Sequence, residues 1–170
     1  MNGFRAAEGL ILQEDDLRLR QAVLPADARL AQAWYTDPEV MYFSEGDKDA
    51  RYDLPMIEKM YRCLADQGEL YIAELLIAGQ WVAIGDVTLA PDTLPIVIGE
   101  AQYRSQGYGK RLISLLIDRA RALGWPQLRV KSIYTFNQRS RRLFESLGFE
   151  QDGDVFLEDD IPSCKFVKQL

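Results

Sequence analysis

Two glycines separated by one residue, Gly107 and Gly109, fall where an apolar segment gives way to an amphipathic helix. Residues 94–102 read as a strand. From Lys110 to about residue 123, apolar side chains recur at helical spacing, with Leu112, Leu115, Leu116, Ile117 and Ala120 on one face and Arg111, Ser114, Asp118 and Arg121 on the other. A sharp turn between such elements favours residues without a Cβ, and the first helical N–H groups then point at one spot on the positive end of the helix dipole. The segment Tyr103-Arg104-Ser105-Gln106-Gly107-Tyr108-Gly109 is therefore either a plain strand-to-helix turn or an anion cradle, most naturally for a pyrophosphate. In the second case Arg104, Lys110 and Arg111 add charge. A P-loop is excluded because Gly109-Lys110 is followed by Arg111. A dinucleotide fingerprint is excluded because Leu112 stands where its third glycine belongs.

Around this junction the other elements fall into place. Residues 17–23 alternate as a strand. A helix begins near Pro25 and runs to about Thr36, ending before Asp37-Pro38. Residues 54–67 form a helix ended by Gly68. Residues 70–78 and 81–89 form a hairpin about Gly79-Gln80. After the helix that follows the glycine loop come a strand at 128–135, a helix at 137–147 ended by Gly148, and two short strands in 149–170. The strand–helix–strand run over 94–135 predicts a right-handed parallel unit. The fold class is α/β (α+β): one domain over residues 1–170, with a mixed sheet and helices on both faces.

Composition narrows the chemistry. The 170 residues contain no histidine, which removes Ser-His-Asp and Cys-His catalysis and any His-ligated metal. Two cysteines, Cys63 and Cys164, are too few for a Cys-only zinc site and show no disulfide pattern, so a reducing, cytoplasmic setting and no metal are expected. No apolar run suits a membrane span or a signal segment, since Glu8, Gly9, Glu14, Asp15 and Asp16 interrupt the N-terminus. A net charge of −6 argues against general nucleic-acid affinity. Yet residues 98–145 hold ten Lys/Arg against three Asp/Glu. That asymmetry is either a solvated pair of helices or a local anion partner. Acids gather at 45–53 and 150–160; meeting across a cleft, they would favour a cationic substrate.

A second motif follows: Asn137-Gln138-Arg139-Ser140, then Leu143-Phe144-Glu145 and Gly148-Phe149. Asn137 suits a helix N-cap and Gly148 a helix stop. With Arg104-x-x-Gly107-x-Gly109 upstream, and a helix and a strand between the two motifs, the chain resembles the GNAT superfamily of Gcn5-related N-acetyltransferases. The opening Leu17-Arg18-Leu19-Arg20 and the run Trp34-Tyr35-Thr36-Asp37-Pro38-Glu39-Val40 are similar to the branch holding ribosomal-protein N-terminal, antibiotic and polyamine acetyltransferases.

That resemblance implies a central, mostly antiparallel sheet of six to seven strands whose central strands splay to admit the pantetheine arm of acetyl-CoA. It implies Tyr103, Arg104, Gln106, Gly107, Tyr108, Gly109 and Lys110 as the pyrophosphate loop, Asn137 against the pantetheine and Ser140 near the thiol. The reaction implied is direct transfer of acetyl to a primary amine of a cationic small molecule or peptide N-terminus. A carboxylate general base is needed. Glu100 is the first candidate, on the strand beside the gap and sharing a face with Ile96 and Ile98; Asp86 is the second. The amide near Ala101 would polarise the thioester carbonyl. Where many relatives carry a tyrosine acid, this chain has Phe144, leaving Tyr134, Ser140 or water. A non-catalytic acyl-CoA-binding regulatory module is thus the alternative, and a plain interaction domain the third. Partners are acetyl-CoA and an amine, without nucleic acid or membrane, in a monomer or homodimer.

Overall fold

The segment Glu69–Ile77 is buried along almost its whole length, and its alternation divides the interior in two. Tyr71, Ala73 and Leu75 belong to one core with Leu112, Leu116 and Phe166, whereas Leu70 and Ile72 belong to another with Ala28, Trp34, Ile57 and Tyr61. Successive strand residues point to opposite faces, so a strand covered on both sides needs a nearly unbroken apolar run. Helices on both faces of a sheet follow.

The computed structural model describes residues 9–170. Glu8, one of the residues that interrupt the N-terminal segment, lies outside them. In chain order the elements are β1 (Ile11–Glu14), β2 (Leu17–Gln21), α1 (Ala26–Ala31), a 3-10 turn (Trp34–Thr36), α2 (Pro38–Glu45), α3 (Leu54–Gln67), β3 (Glu69–Ile77), β4 (Gln80–Leu89), β5 (Ile96–Ile98), a second 3-10 turn (Ala101–Tyr103), α4 (Tyr108–Ala122), β6 (Gln127–Tyr134), α5 (Gln138–Ser146), β7 (Glu150–Gln151), β8 (Phe156–Glu158) and β9 (Ile161–Gln169). One sheet runs β1-β2-β3-β4-β5; the other runs β6-β9-β7, with β8 also on β9. Every ladder between these strands is antiparallel.

The α/β class, the largely antiparallel pairing and the helices on both faces agree with expectation. So does the splay: no ladder joins β5 to β6 among the described residues. Some details differ. Among the described residues, nine strands in two sheets replace the six to seven of one sheet. The helix expected from Pro25 to Thr36 is broken into α1 and the 3-10 turn, which does stop at Asp37, and Asp37-Pro38 then starts a further helix: Asp37 accepts from Glu39 N at 2.8 Å as the N-cap of α2, with Pro38 at its first position.

β5 is also much shorter than the expected strand over 94–102. The amides of Gly99 and Glu100 both turn onto the Ile84 carbonyl, at 2.8 and 3.2 Å, and the chain then curls into the 3-10 turn. Thr88 N bonds Pro95 O and Gly99 N bonds Ile84 O, so residues 95, 97 and 99 face β4. By alternation, Ile96 and Ile98 turn their backbone groups toward the splay.

Candidate active site

The splay is lined by two cavities. One, of about 340 Å³, lies between the glycine loop, α2 and α5; the other, of about 410 Å³, lies between β4–β5 and β6. They share Phe43, Ser44, Ile96, Val97, Asn137 and Ser140, so they are two ends of one cleft.

The first end is built to hold an anion. Gly107 sits at φ +86 as the residue before α4, and a Cβ there would meet nothing within 4 Å. Gly109 is closer packed: its Cβ would lie 3.3 Å from the Leu143 side chain. Among the described residues, none of the backbone amides from Ser105 to Lys110 has a hydrogen-bond partner; the next amide, Arg111 N, bonds Gly107 O at 3.3 Å. Tyr103 and Tyr108 meet edge to face at 6.1 Å below the loop, and the Gln106 side chain donates to Gln102 O. Lys110 and Arg142 line this end, and neither has a carboxylate partner among the described residues. A phosphate-bearing ligand fits such a cradle.

Arg104 also lines this end, but its guanidinium is committed to protein partners. Its side chain is only 8% exposed and is fully engaged, with Asp37 and Glu39 at 2.8 Å, Ile98 O at 2.8 Å and Gly99 O at 2.7 Å. It fastens the end of β5 to the start of α2. Arg111 is likewise paired away from the cavity, with Glu14 and Asp16.

On the opposite wall, Asn137 caps α5, its Oδ1 accepting from Ser140 N at 3.0 Å, and borders both cavities. Capping and a ligand-facing place coexist in this residue. Phe144 is buried against Phe149, with ring centroids 5.1 Å apart, and borders the second cavity.

The second end holds a buried carboxylate. Asp86, on β4, is buried and accepts from Tyr61 Oη at 2.7 Å and Tyr35 Oη at 2.9 Å. Burial pushes its pKa up to about 6, and the two hydroxyl donors restrain the rise. Burial and the Asp86 charge push both tyrosines well above their ordinary range, which keeps them donors. Asp86 is among the carboxylates that the resemblance implies, but its cradle is not: Tyr35 and Tyr61 lie on other segments, with no local pattern that ties them to it.

Glu100 and Ala101 are the corrections. Glu100 lies beyond β5, before the 3-10 turn, and accepts from Trp34 Nε1 at 2.9 Å; Ala101 is exposed in the turn itself. Neither lines the cleft. The expected strand was cut short by Gly99, which removes the alternation that placed Glu100 beside Ile96 and Ile98.

The two acidic stretches do meet. A Cβ on Gly46 would lie 2.3 Å from the Ile161 side chain, and Glu45, Glu158 and Asp159 border the second cavity with Tyr134. Burial, then these three carboxylates, raise the Tyr134 pKa. Other acids of those stretches do local work: Asp53 caps α3 and Asp152 pairs with Arg129.

Asp86 makes folding depend on pH in a defined direction. Its folded pKa lies above the ordinary 3.8, so between about pH 4 and pH 6 the folded chain holds a proton that the unfolded chain has lost. The contribution of Asp86 to stability therefore falls as pH rises through that window, by roughly 3 kcal/mol in total, and does not change further above it. Carboxylates with lowered pKa, Asp37 and Glu39, contribute stability that is lost below this window. Urea unfolding midpoints from pH 4.5 to 7 should show the fall in the wild type and its absence in Asp86→Asn.

A two-ended cleft in a splayed sheet, with an amide cradle at a helix start, suits a phosphate-bearing ligand at one end and a second ligand at the acidic other. Residues 16–150 match the family model described as acetyltransferase (GNAT) domain, and the chain belongs to that family. Its fold is similar to that of a domain from Methanocaldococcus jannaschii, with TM-score 0.78 at 21% identity over 91% of this chain and 98% of that one. It is similar to spermidine N-acetyltransferase from Vibrio cholerae, solved with CoA and spermine, with TM-score 0.73 at 16% identity over 92% and 96%. It is also similar to aminoglycoside acetyltransferase AAC(6')-Ib in complex with coenzyme A, with TM-score 0.74 at 18% identity over 90% and 94%. No curated protein matches the chain in sequence. No helix among the described residues is long and apolar enough to cross a membrane, and no group of three or more metal-ligating side chains occurs among them.

Proposed function

We propose that this protein is an acetyl-CoA-dependent N-acetyltransferase acting on a primary amine of a cationic small molecule or peptide N-terminus. The observation that carries this reading is the joining of two unlike ends in one cleft: free amides with Lys110 and Arg142 at one, and a buried Asp86 with Glu45, Glu158 and Asp159 at the other. Polyanionic donor and cationic acceptor then approach from opposite sides and meet along β5. The spermine and the aminoglycoside complexes belong to the neighbours; here the acidic rim alone speaks for a cationic acceptor.

The amides of Ser105 to Lys110 hold the pyrophosphate, while Ile96 and Asn137 hold the arm. Asp86, directly or through a water, takes the proton that the attacking ammonium must lose. The Ile98 N–H, pointing into the splay, replaces Ala101 as the donor to the carbonyl oxygen where charge develops. Tyr134, Ser140 or water returns a proton to the departing thiolate. Amine nitrogen gains the acetyl group, the thioester bond breaks, and the thiol leaves.

A second reading, a non-catalytic acyl-CoA-binding module, is favoured by one observation: Phe144 is buried in the core and has no proton to give. Incubation with acetyl-CoA and a panel of polyamines, aminoglycosides and peptides, followed by mass detection and thiol release, separates the two. Acetylated product supports the enzyme; cofactor binding with no product across the panel supports the module.

A further inference from the structure

The Asp37-Pro38-Glu39 start of α2 has no part in the chemistry above, yet it sits at the mouth of the donor end. Glu39 divides its carboxylate. One oxygen takes Arg104 at 2.8 Å, on the wall formed by β5 and the glycine loop; the other takes Arg139 at 2.8 Å, on the opposite wall formed by α5. Arg139 also lies over the Phe43 ring of α2, 4.8 Å from its centroid. Asp37 adds a second tie to Arg104 at 2.8 Å. Between these anchors α2 is strapped over the cleft and walls both ends: Val40, Phe43 and Ser44 border the donor cavity, and Phe43, Ser44 and Glu45 the acceptor cavity.

We infer that Glu39 is a positioning residue that couples the two ends of the cleft, making the acceptor wall respond to the donor. This rests on the reading of the cleft as a donor and acceptor site. With both arginines bridged, α2 and the two donor walls move as one body, so a ligand that fixes the walls also fixes Phe43, Ser44 and Glu45. Without the bridge, α2 is still held to Arg104 by Asp37, but its ties to the α5 side reduce to the Arg139 contact with the Phe43 ring and the stacking of Tyr42 on Phe136, with no ion pair among them. Coupling is reciprocal: whatever order the donor imposes on α2 returns to the donor as affinity. Glu39 and Arg139 are both nearly half exposed, so their pairing contributes little to overall stability. The effect of losing it belongs in the ligand response rather than in the unfolding midpoint.

The test is hydrogen exchange, resolved by segment, on the wild type, Glu39→Gln, Glu39→Asp and the control Glu145→Gln, with and without saturating coenzyme A, beside calorimetric Kd values and unfolding midpoints. In the wild type and in Glu145→Gln, coenzyme A should slow exchange both in residues 105–110 and in residues 38–45. In Glu39→Gln the slowing at 105–110 should persist, the slowing at 38–45 should largely vanish, and Kd should rise about tenfold. Glu39→Asp keeps the charge on a shorter arm and should fall between. The inference is overturned if coenzyme A still slows residues 38–45 in Glu39→Gln by the wild-type factor with Kd unchanged. It is equally overturned if free and bound proteins loosen alike and the midpoint drops, which is a structural role only. A folded wild type that binds no coenzyme A overturns the cleft reading itself, and this inference with it.

Discussion

Asp86→Asn lowers turnover by about 10²–10⁴-fold and leaves coenzyme A affinity unchanged: that is the expected result for a general base that does not touch the donor. A carboxylate with pKa about 6 is mostly ionised near neutral pH yet basic enough to accept a proton from an ammonium group. Asparagine keeps the shape and one acceptor for Tyr35 and Tyr61 but cannot take that proton. The same substitution removes the cost of burying charge, so the variant should be at least as stable as the wild type at pH 7, and a loss of rate will not be a loss of fold. Steady-state kcat with calorimetric binding of coenzyme A checks both halves. Undiminished kcat would take Asp86 out of the mechanism and leave the acidic rim of Glu45, Glu158 and Asp159 as the source of a water-linked base.

Gly107→Glu is expected to weaken coenzyme A binding by two orders of magnitude or more, about 3 kcal/mol of affinity. The new carboxylate would enter the open space in front of the unpartnered amides, occupying their donors and repelling phosphate. A residue with a side chain at φ +86 is strained, at a cost of roughly 1–2 kcal/mol, and its Cβ meets no neighbour, so the domain should still fold. Thermal unfolding alongside titration separates the two effects. A folded Gly107→Glu protein that binds like the wild type would show the loop to be only a turn. Arg104 is unsuited to this experiment, because its guanidinium holds Asp37, Glu39 and two carbonyls together and its loss would disturb the scaffold rather than the ligand contacts.

The glycine loop, α4, α3 and the β3–β4 hairpin were legible because each is set by local pattern: glycines at a junction, a helical apolar stripe, alternation about a tight turn. On α4 the buried face differs by one place, with Ile113 inside and Leu115 only partly covered. What the pattern could not show is where backbone hydrogen bonds stop. Gly99 and Glu100 share one acceptor on β4, which ends β5 three residues after it begins and moves Glu100 out of the cleft. Asp37-Pro38 carries two opposite local meanings, since proline disfavours helix before it and suits the first helical turn after it. Here both hold: Asp37, extended, closes the 3-10 turn and N-caps α2. The Asp86 cradle joins three distant segments, residues 35, 61 and 86, which no spacing rule connects. The paired state of Arg104 was hidden for the same reason: its carboxylates lie 65 and 67 positions away.

The central claim is that the cleft takes acetyl-CoA through the amides at the start of α4. Calorimetric titration of the folded protein with acetyl-CoA tests it most directly, with Gly107→Glu as the paired variant. The account predicts saturable binding of one donor per chain, weakened as salt rises because charge contributes to holding the phosphates, and lost in the variant. Absence of binding by the wild type, in protein shown to be folded by its unfolding transition, would contradict it.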